Sequence, residues 1–280
     1  ARHGPIIYSE YGSSNQTINY DSEAELYDAW FAELDDIIAG LTPNQEFTGL
    51  APFDASYGGN ISAWIKFANS LRLRLAMRIS KVNPALAKTQ GEKAISDPGG
   101  LIMTNADNFM ILNYDGFFKP ARICFGWGDT RMSATMESVL GGYQDPRVEK
   151  YFEPATDPAV YAAHPEFPYK GIHAASVLVA KDDRLSYSTI SSTFNNNGYP
   201  RRRCFTSSET HFLLAEAALR NWAGAGSAQE HYETGIREGF AEWGAGGVDD
   251  YIADDTNLPW DYTDPKAEDN HNAFDSRIKV

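Results

Sequence analysis

A sugar ring offers an apolar C–H face and a rim of hydroxyls, so side chains that hold one are flat aromatics for the face and planar Asn, Asp or Arg for the rim. Two stretches of this chain have that mixture without a helical period. Residues 113–127 carry Asn113, Tyr114, Phe117, Phe118 and Trp127, and residues 195–201 carry Asn197, Tyr199 and Arg201. Trp260, beside Asp261 and Tyr262, is a third place. The candidate glycan contacts are therefore Trp127, Tyr114, Phe117, Tyr199, Asn197, Arg201 and Trp260. For each the competing reading is core packing, where most aromatics of an aromatic-rich chain go. Trp30, Trp64, Trp222 and Trp243 fall on helical stripes and are assigned to the core.

Other chemistry finds less support. Glycoside hydrolysis needs two carboxylates at a set separation across a cleft, but with 38 acidic residues some pair always looks plausible. His211 lies near Glu209 and Glu216 without an HExxH motif. No G-x-S-x-G elbow, phosphate-binding glycine loop or cysteine-zinc spacing is present. The acidic residues 249–270 lack the spacing of a calcium-binding EF-hand loop and read as a solvated charged loop. No catalytic residue, cofactor or metal is assigned. A net charge of −14 argues against nucleic acid, which requires clustered cations to displace counterions. Arg201, Arg202 and Arg203 form the one basic run, read as a solvated turn before a helix or as partners for the acidic excess. Cys124 and Cys204 can pair or remain reduced, and spacing does not decide. No apolar run approaches the roughly 20 residues of a membrane helix, and the chain as written is expected to be soluble.

These side chains must be positioned by helices. Ser22-x-x-Glu25 is a capping box, followed by apolar Leu26, Trp30, Leu34, Ile37 and Leu41, which predicts a helix over residues 21–41. Residues 64–82 repeat Trp64, Phe67, Ala68, Leu71, Leu75, Ile79 and Val82 on one side, with Leu73 and Met77 opposite. Such a helix buries two faces, and Asn69, Arg72, Arg74 and Arg78 then need partners. Asn83-Pro84 starts a third helix, stopped by residues 97–100. A helix is predicted over residues 130–140, ended by Gly141-Gly142. Residues 101–127 and 143–199 read as long loops, the former with short strands. A helical hairpin follows: Phe212, Ala215, Leu219 and Trp222 mark one face of its first helix, Gly224 and Gly226 break it, and Ser227-x-x-Glu230 caps the second. Ala228, Tyr232 and Gly235 have the spacing of the second helix of a tetratricopeptide repeat, where small residues sit at the crossing.

Three segments also carry a family resemblance: WIKFANSLRLRLAMRIS at residues 64–80, GGYQDPRVEKYFEP at 141–154, and SSETHFLLAEAALRNWAGAGSAQEHYETGIREGFAEWG at 207–244. In wording and order they are similar to the SusD/RagB family, surface lipoproteins that capture nutrients for a TonB-dependent outer-membrane transporter. With the first helix, the resemblance covers residues 8–243. It implies an all-α fold of tetratricopeptide-like helical hairpins in a superhelical arrangement with long irregular loops. It further implies a single domain over residues 1–280, an internal portion of a longer protein whose signal and lipid anchor lie outside this chain. The expected place is the outer membrane at the cell surface, as in Bacteroidetes. The expected partners are a polysaccharide or oligosaccharide and a SusC-like TonB-dependent transporter, with binding that is not catalytic. The family's ligand residues lie in variable loops, so no motif transfers them here. Three alternatives stand beside this reading: a RagB-like peptide binder, a glycoside hydrolase or lyase on a helical scaffold, and a structural assembly module with no ligand. The aromatic–Asn mixture and the few basic residues of the loops favour sugar.

Overall fold

The helix with two apolar faces is enclosed by other helices. In the computed structural model, which describes residues 4–14, 17–112, 128, 130–173, 181–194 and 201–261, α1 (Glu23–Leu41), α2 (Ile61–Arg78) and α3 (Pro84–Ser96) begin at the caps their sequences contain. Ser22 Oγ accepts from the Glu25 amide at 3.3 Å, and the Glu25 carboxylate accepts from the Ser22 amide at 2.9 Å. Asn60 and Asn83 cap α2 and α3 through the amides of Ala63 and Leu86. Pro84 stands at the first turn, where its missing N–H costs nothing.

The described residues divide into two compact units, residues 1–111 with 203–238 and residues 112–202 with 239–280. In the first, α2 packs against α1, α3 and α6 (Ser207–Leu219). Its Ile65, Leu73, Ala76 and Met77 meet Phe31, Leu34 and Ile38 of α1, Ala87 and Ala94 of α3, and Leu214 and Ala217 of α6. Most polar groups covered by this packing find partners, Asn69 Oδ1 and Arg72 Nε excepted. Arg72, 1% exposed, donates to Gln90 at 2.7 Å and pairs with Asp35. Asn69 donates to the Gly100 carbonyl at 3.1 Å, and Arg74 forks onto Glu209 at 2.5 and 2.6 Å. Burial raises the Asp35 pKa, but the hydrogen bonds from Lys93 and Arg72 outweigh it and hold the carboxyl below its ordinary value. Val82, placed by periodicity on the buried stripe, is 82% exposed because α2 ends at Arg78.

The hairpin is α6 and α7 (Ala228–Trp243), with Ser227 Oγ accepting from the Glu230 amide at 3.3 Å. Gly235 lies at the crossing: a Cβ there would press on the Phe212 ring, and Ser208 Oγ donates to the Gly235 carbonyl at 2.6 Å. The predicted face of α6 holds in part. Ala215 and Trp222 are buried with Thr210, His211, Leu214 and Ala217, whereas Phe212 is 39% and Leu219 75% exposed. The sheet content is β1 (Phe109–Leu112) paired with β2 (Arg201–Phe205). Cys124 lies outside the described residues.

The second unit holds α4 (Ala134–Gly142) and α5 (Val148–Tyr151) around Met132, Leu140, Val148, Phe152 and Phe167, and also α8 (Val248–Ala253). Three expectations are corrected here. The first helix starts at Ala134, because the Ser133 hydroxyl caps it by accepting from the Met136 amide. Gly141 and Gly142 end it from within, as its last two residues, not from beyond Leu140. A Cβ on Gly141 would strike the Trp260 ring, and one on Gly142 the Leu258 carbonyl and Pro259, so the two glycines admit a crossing chain. The acidic segment beginning at residue 249 opens as a helix, α8, with Asp249 and Asp250 in its first turn, where the macrodipole favours carboxylates. Arg147 forks onto Asp145 at 2.5–3.1 Å and lies 4.5 Å over the Phe240 ring. Burial opposes its charge, and Asp145 more than offsets that.

Candidate functional site

The residues that bracket the aromatic–Asn segments belong to the second unit, and single-residue bridges knit them together. Arg131 bridges Thr189, Ser133 bridges Ile172 and Phe152 bridges Ile190. The Met132 amide donates to the Ser188 carbonyl at 2.8 Å, the Ile172 amide to the Met132 carbonyl at 2.8 Å, and the Ser188 amide to the Lys170 carbonyl at 3.0 Å. Arg131 reaches the carbonyls of Tyr187 at 3.0 Å and Gly128 at 2.9 Å. Thr189 donates to the Thr130 carbonyl at 3.2 Å. Residues 130–133, 170–172 and 187–190 thus form one hydrogen-bonded framework. Segments 113–127, 174–180 and 195–200 each join the chain within a few residues of it.

Close packing fixes this framework. A Cβ on Gly171 would collide with the Ser133 carbonyl, so the two segments approach as only glycine allows. Tyr187, 1% exposed, fills the space beneath with Ala155 and Val160. Beside it lies a buried ion pair: Lys170 Nζ is 2.9 Å from Glu137 Oε1, and Glu137 Oε2 accepts from the Gly171 amide at 2.8 Å. Burial, then the charges of Glu149 and Glu153, push the Tyr169 hydroxyl above its ordinary range.

Of the sequence-predicted contacts, Tyr114, Phe117, Trp127, Asn197 and Tyr199 lie outside the described residues. Arg201 opens β2. Trp260 is half-buried. Its amide donates to the Ser138 carbonyl at 3.0 Å, its own carbonyl accepts from the Ser138 hydroxyl, and its ring rests against Gly141. The His164 imidazole lies parallel on the ring, 3.6 Å between centroids and 6° between planes, and Phe167 meets it edge-on at 5.3 Å. Among the described residues no group of three His, Cys, Asp or Glu side chains is placed to hold a metal ion.

Sequence reasoning missed the framework and the Glu137–Lys170 pair. Isolated bridges leave no run of alternating residues to detect, and nothing local joins a helical Glu to a Lys 33 positions away.

The fold has a known counterpart. A family model described as SusD-like, Susd and RagB outer membrane lipoprotein, matches residues 2–280. The chain belongs to the SusD-like family. Solved SusD homologues superpose on it closely. A chitin-binding SusD homologue from Flavobacterium johnsoniae is 39% identical with a TM-score of 0.85, over 99% of this chain and 58% of that one. A SusD homologue from Bacteroides uniformis is 34% identical with a TM-score of 0.84, over 96% of this chain and 55% of that one. A SusD-like protein from Bacteroides thetaiotaomicron is 30% identical with a TM-score of 0.83, over 98% and 58%. This SusD-like chain therefore spans somewhat over half the length of those relatives, and its helical hairpins are those of the family's all-α fold. The family's place is the outer membrane. Among curated proteins none matches this chain.

Proposed function

We propose that this SusD-like chain holds a polysaccharide or oligosaccharide at the cell surface, without cleaving it, as part of a lipid-anchored protein that passes the glycan to a TonB-dependent transporter. The observation that carries the reading is the 39% identity, over nearly the whole chain, to a homologue that binds chitin. The composition of the bracketed segments supports it, since Tyr114, Phe117, Trp127 and Tyr199 supply flat faces and Asn197 and Arg201 supply donors for hydroxyls. In this reading those residues meet the sugar, and Trp260, already stacked on His164, anchors the crossing chain on α4. Chitin-type glycan, a polymer of N-acetylated sugars, is the first substrate class to try.

The test is native gel retardation across a panel of polysaccharides, soluble chitin derivatives included, with a mixed-peptide control and a Trp127→Ala arm. Retardation by a glycan without release of reducing ends is the expected result. Trp127→Ala weakens it while the melting temperature stays within a few degrees. Retardation by no glycan, or competition by peptide alone, defeats the sugar reading. Release of reducing ends that disappears on changing one Asp or Glu makes the protein a hydrolase instead.

A further inference from the structure

One side of α2 and one side of α6 carry charge into a common groove. Arg74, Arg78 and Lys81 recur at spacings of four and three along α2 and the turn that follows it. Glu209, Leu213, Glu216 and Arg220 recur at four, three and four along α6 and its C-cap, so each set shares a side of its helix. The groove between them measures about 400 Å³, and Met77 and Leu213 line it too. Its cations outnumber its carboxylates four to two, in a chain whose net charge is −14.

Two of those cations are engaged. Arg74 forks onto Glu209, and Arg220 Nε and Nη2 donate to Glu216 Oε1 at 3.1 and 2.5 Å. Among the described residues neither Arg78 nor Lys81 has a carboxylate within 4 Å. Arg78 stands in the last turn of α2, where a cation complements the helix dipole, and it also borders the neighbouring groove of Glu23 and Asp28. Ser80 has no such second explanation. It is 9% exposed, and its hydroxyl has no hydrogen-bond partner among the described residues. The oxygen is not sealed from solvent, so it opens into the groove that Ser80 lines and is left to bond whatever enters there.

The lining sorts by chemistry. Arg78, Lys81 and Ser80 are donors without an acceptor and suit a carboxylate. Glu209 and Glu216, each holding one guanidinium, keep lone pairs that accept from hydroxyls. Met77 and Leu213 offer apolar contact to C–H groups. An acidic peptide satisfies the first set and is repelled by the second. A sugar acid carries all three features: a carboxylate, hydroxyls and a C–H face.

We propose that the groove between α2 and α6 binds a uronic acid, its carboxylate taken by Arg78, Lys81 and Ser80 and its hydroxyls by Glu209 and Glu216. This is a second site, on the helical unit, and it does not rest on the chitin-type reading.

The experiment is a calorimetric titration with galacturonate and glucuronate. Galactose and glucose serve as neutral counterparts, and acetate and glutamate as acids without the ring. A uronate is expected to bind at least about tenfold more tightly than its neutral counterpart and than either simple acid. Its affinity falls about threefold or more between about 50 and about 500 mM NaCl, because the cations that hold it are near the surface. Lys81→Gln weakens binding about fivefold, Ser80→Ala about threefold, and the double variant Arg78→Gln/Lys81→Gln about tenfold or more. Lys81 is exposed, so Lys81→Gln melts within a few degrees of wild type and keeps the question readable whatever Ser80→Ala does to folding. No binding of either uronate, equal binding of the neutral sugars or simple acids, or uronate binding that Lys81→Gln leaves unchanged each overturns the proposal. Retardation by chitin derivatives is expected to be the same for the double variant as for wild type, and its loss together with uronate binding overturns the assignment of a second site. If no glycan retards the wild type, the chitin-type reading falls and the uronate titration still decides for this groove.

Discussion

His211 shows how much of a residue's behaviour depends on one neighbour. Its Nε2 donates to the Met103 carbonyl at 3.0 Å, and its Nδ1 lies 3.0 Å from His231 Nδ1. Burial lowers the His231 pKa first, and the charge of His211 lowers it further, against smaller raising effects from the Ala225 carbonyl and Glu230. A histidine whose folded pKa is depressed binds its proton more readily when unfolded. Stability is therefore held above the ordinary value of 6.5 and declines as pH falls from there toward the folded pKa. Urea midpoints at pH 7.5 and 5.0 check this: His231→Gln is expected to shrink the difference between them, and an unaltered difference assigns the acid sensitivity to other groups.

Among elements, α2 and α6 separate the two ways a helix is buried. α2 is covered on most of its circumference, so Leu73 at 0% exposure has no room to relax when truncated. Leu73→Ala is expected to cost about 2–5 kcal/mol in a urea titration, transfer and cavity terms together. Leu219→Ala on α6, at 75% exposure, is expected to change stability by less than about 0.5 kcal/mol. Equal losses at the two sites reject this assignment of faces. The same contrast explains α4, whose terminal glycines read as a stop in sequence but serve as a landing place for residues 258–260. A glycine is required both where a helix ends and where another chain crosses it closely, and only the neighbour distinguishes the two.

At the scale of the molecule, the charge of −14 bears on how the ligand is held. Nucleic acid or a polyanionic glycan is bound with release of counterions and a steep loss of affinity with salt. A neutral sugar held by aromatic faces and hydrogen bonds releases none. Raising NaCl from about 50 to about 500 mM is therefore expected to leave the affinity for a chitin-type glycan within about twofold, read by calorimetry. A drop of ten times or more points to an acidic glycan bound through the few cations of the loops. The two units differ in construction in a way that suits this role. The first is stacked helices with a continuous core, and the second is short helices joined by bridged loops around a smaller core. Loops carried on such a support vary in sequence without disturbing the helices, which is how one fold serves many ligands.

The amino-acid sequence alone determined the caps at Ser22, Asn83 and Ser227, the doubly buried α2 and the helical hairpin, because capping and periodicity are interactions between residues three or four apart. The motifs that carry the family resemblance lie on those same helices and on the Asp145–Arg147 turn, where the chain must meet itself in one way. The tertiary structure decided which face of α6 is covered, why Gly141 and Gly142 stand inside a helix, and how residues 130–133, 170–172 and 187–190 join. Those decisions rest on contacts between groups far apart in the chain. Arg72 with Asp35, Glu137 with Lys170 and Trp260 with His164 are pairs that no local pattern announces. Such pairs form only once folding has brought the elements together.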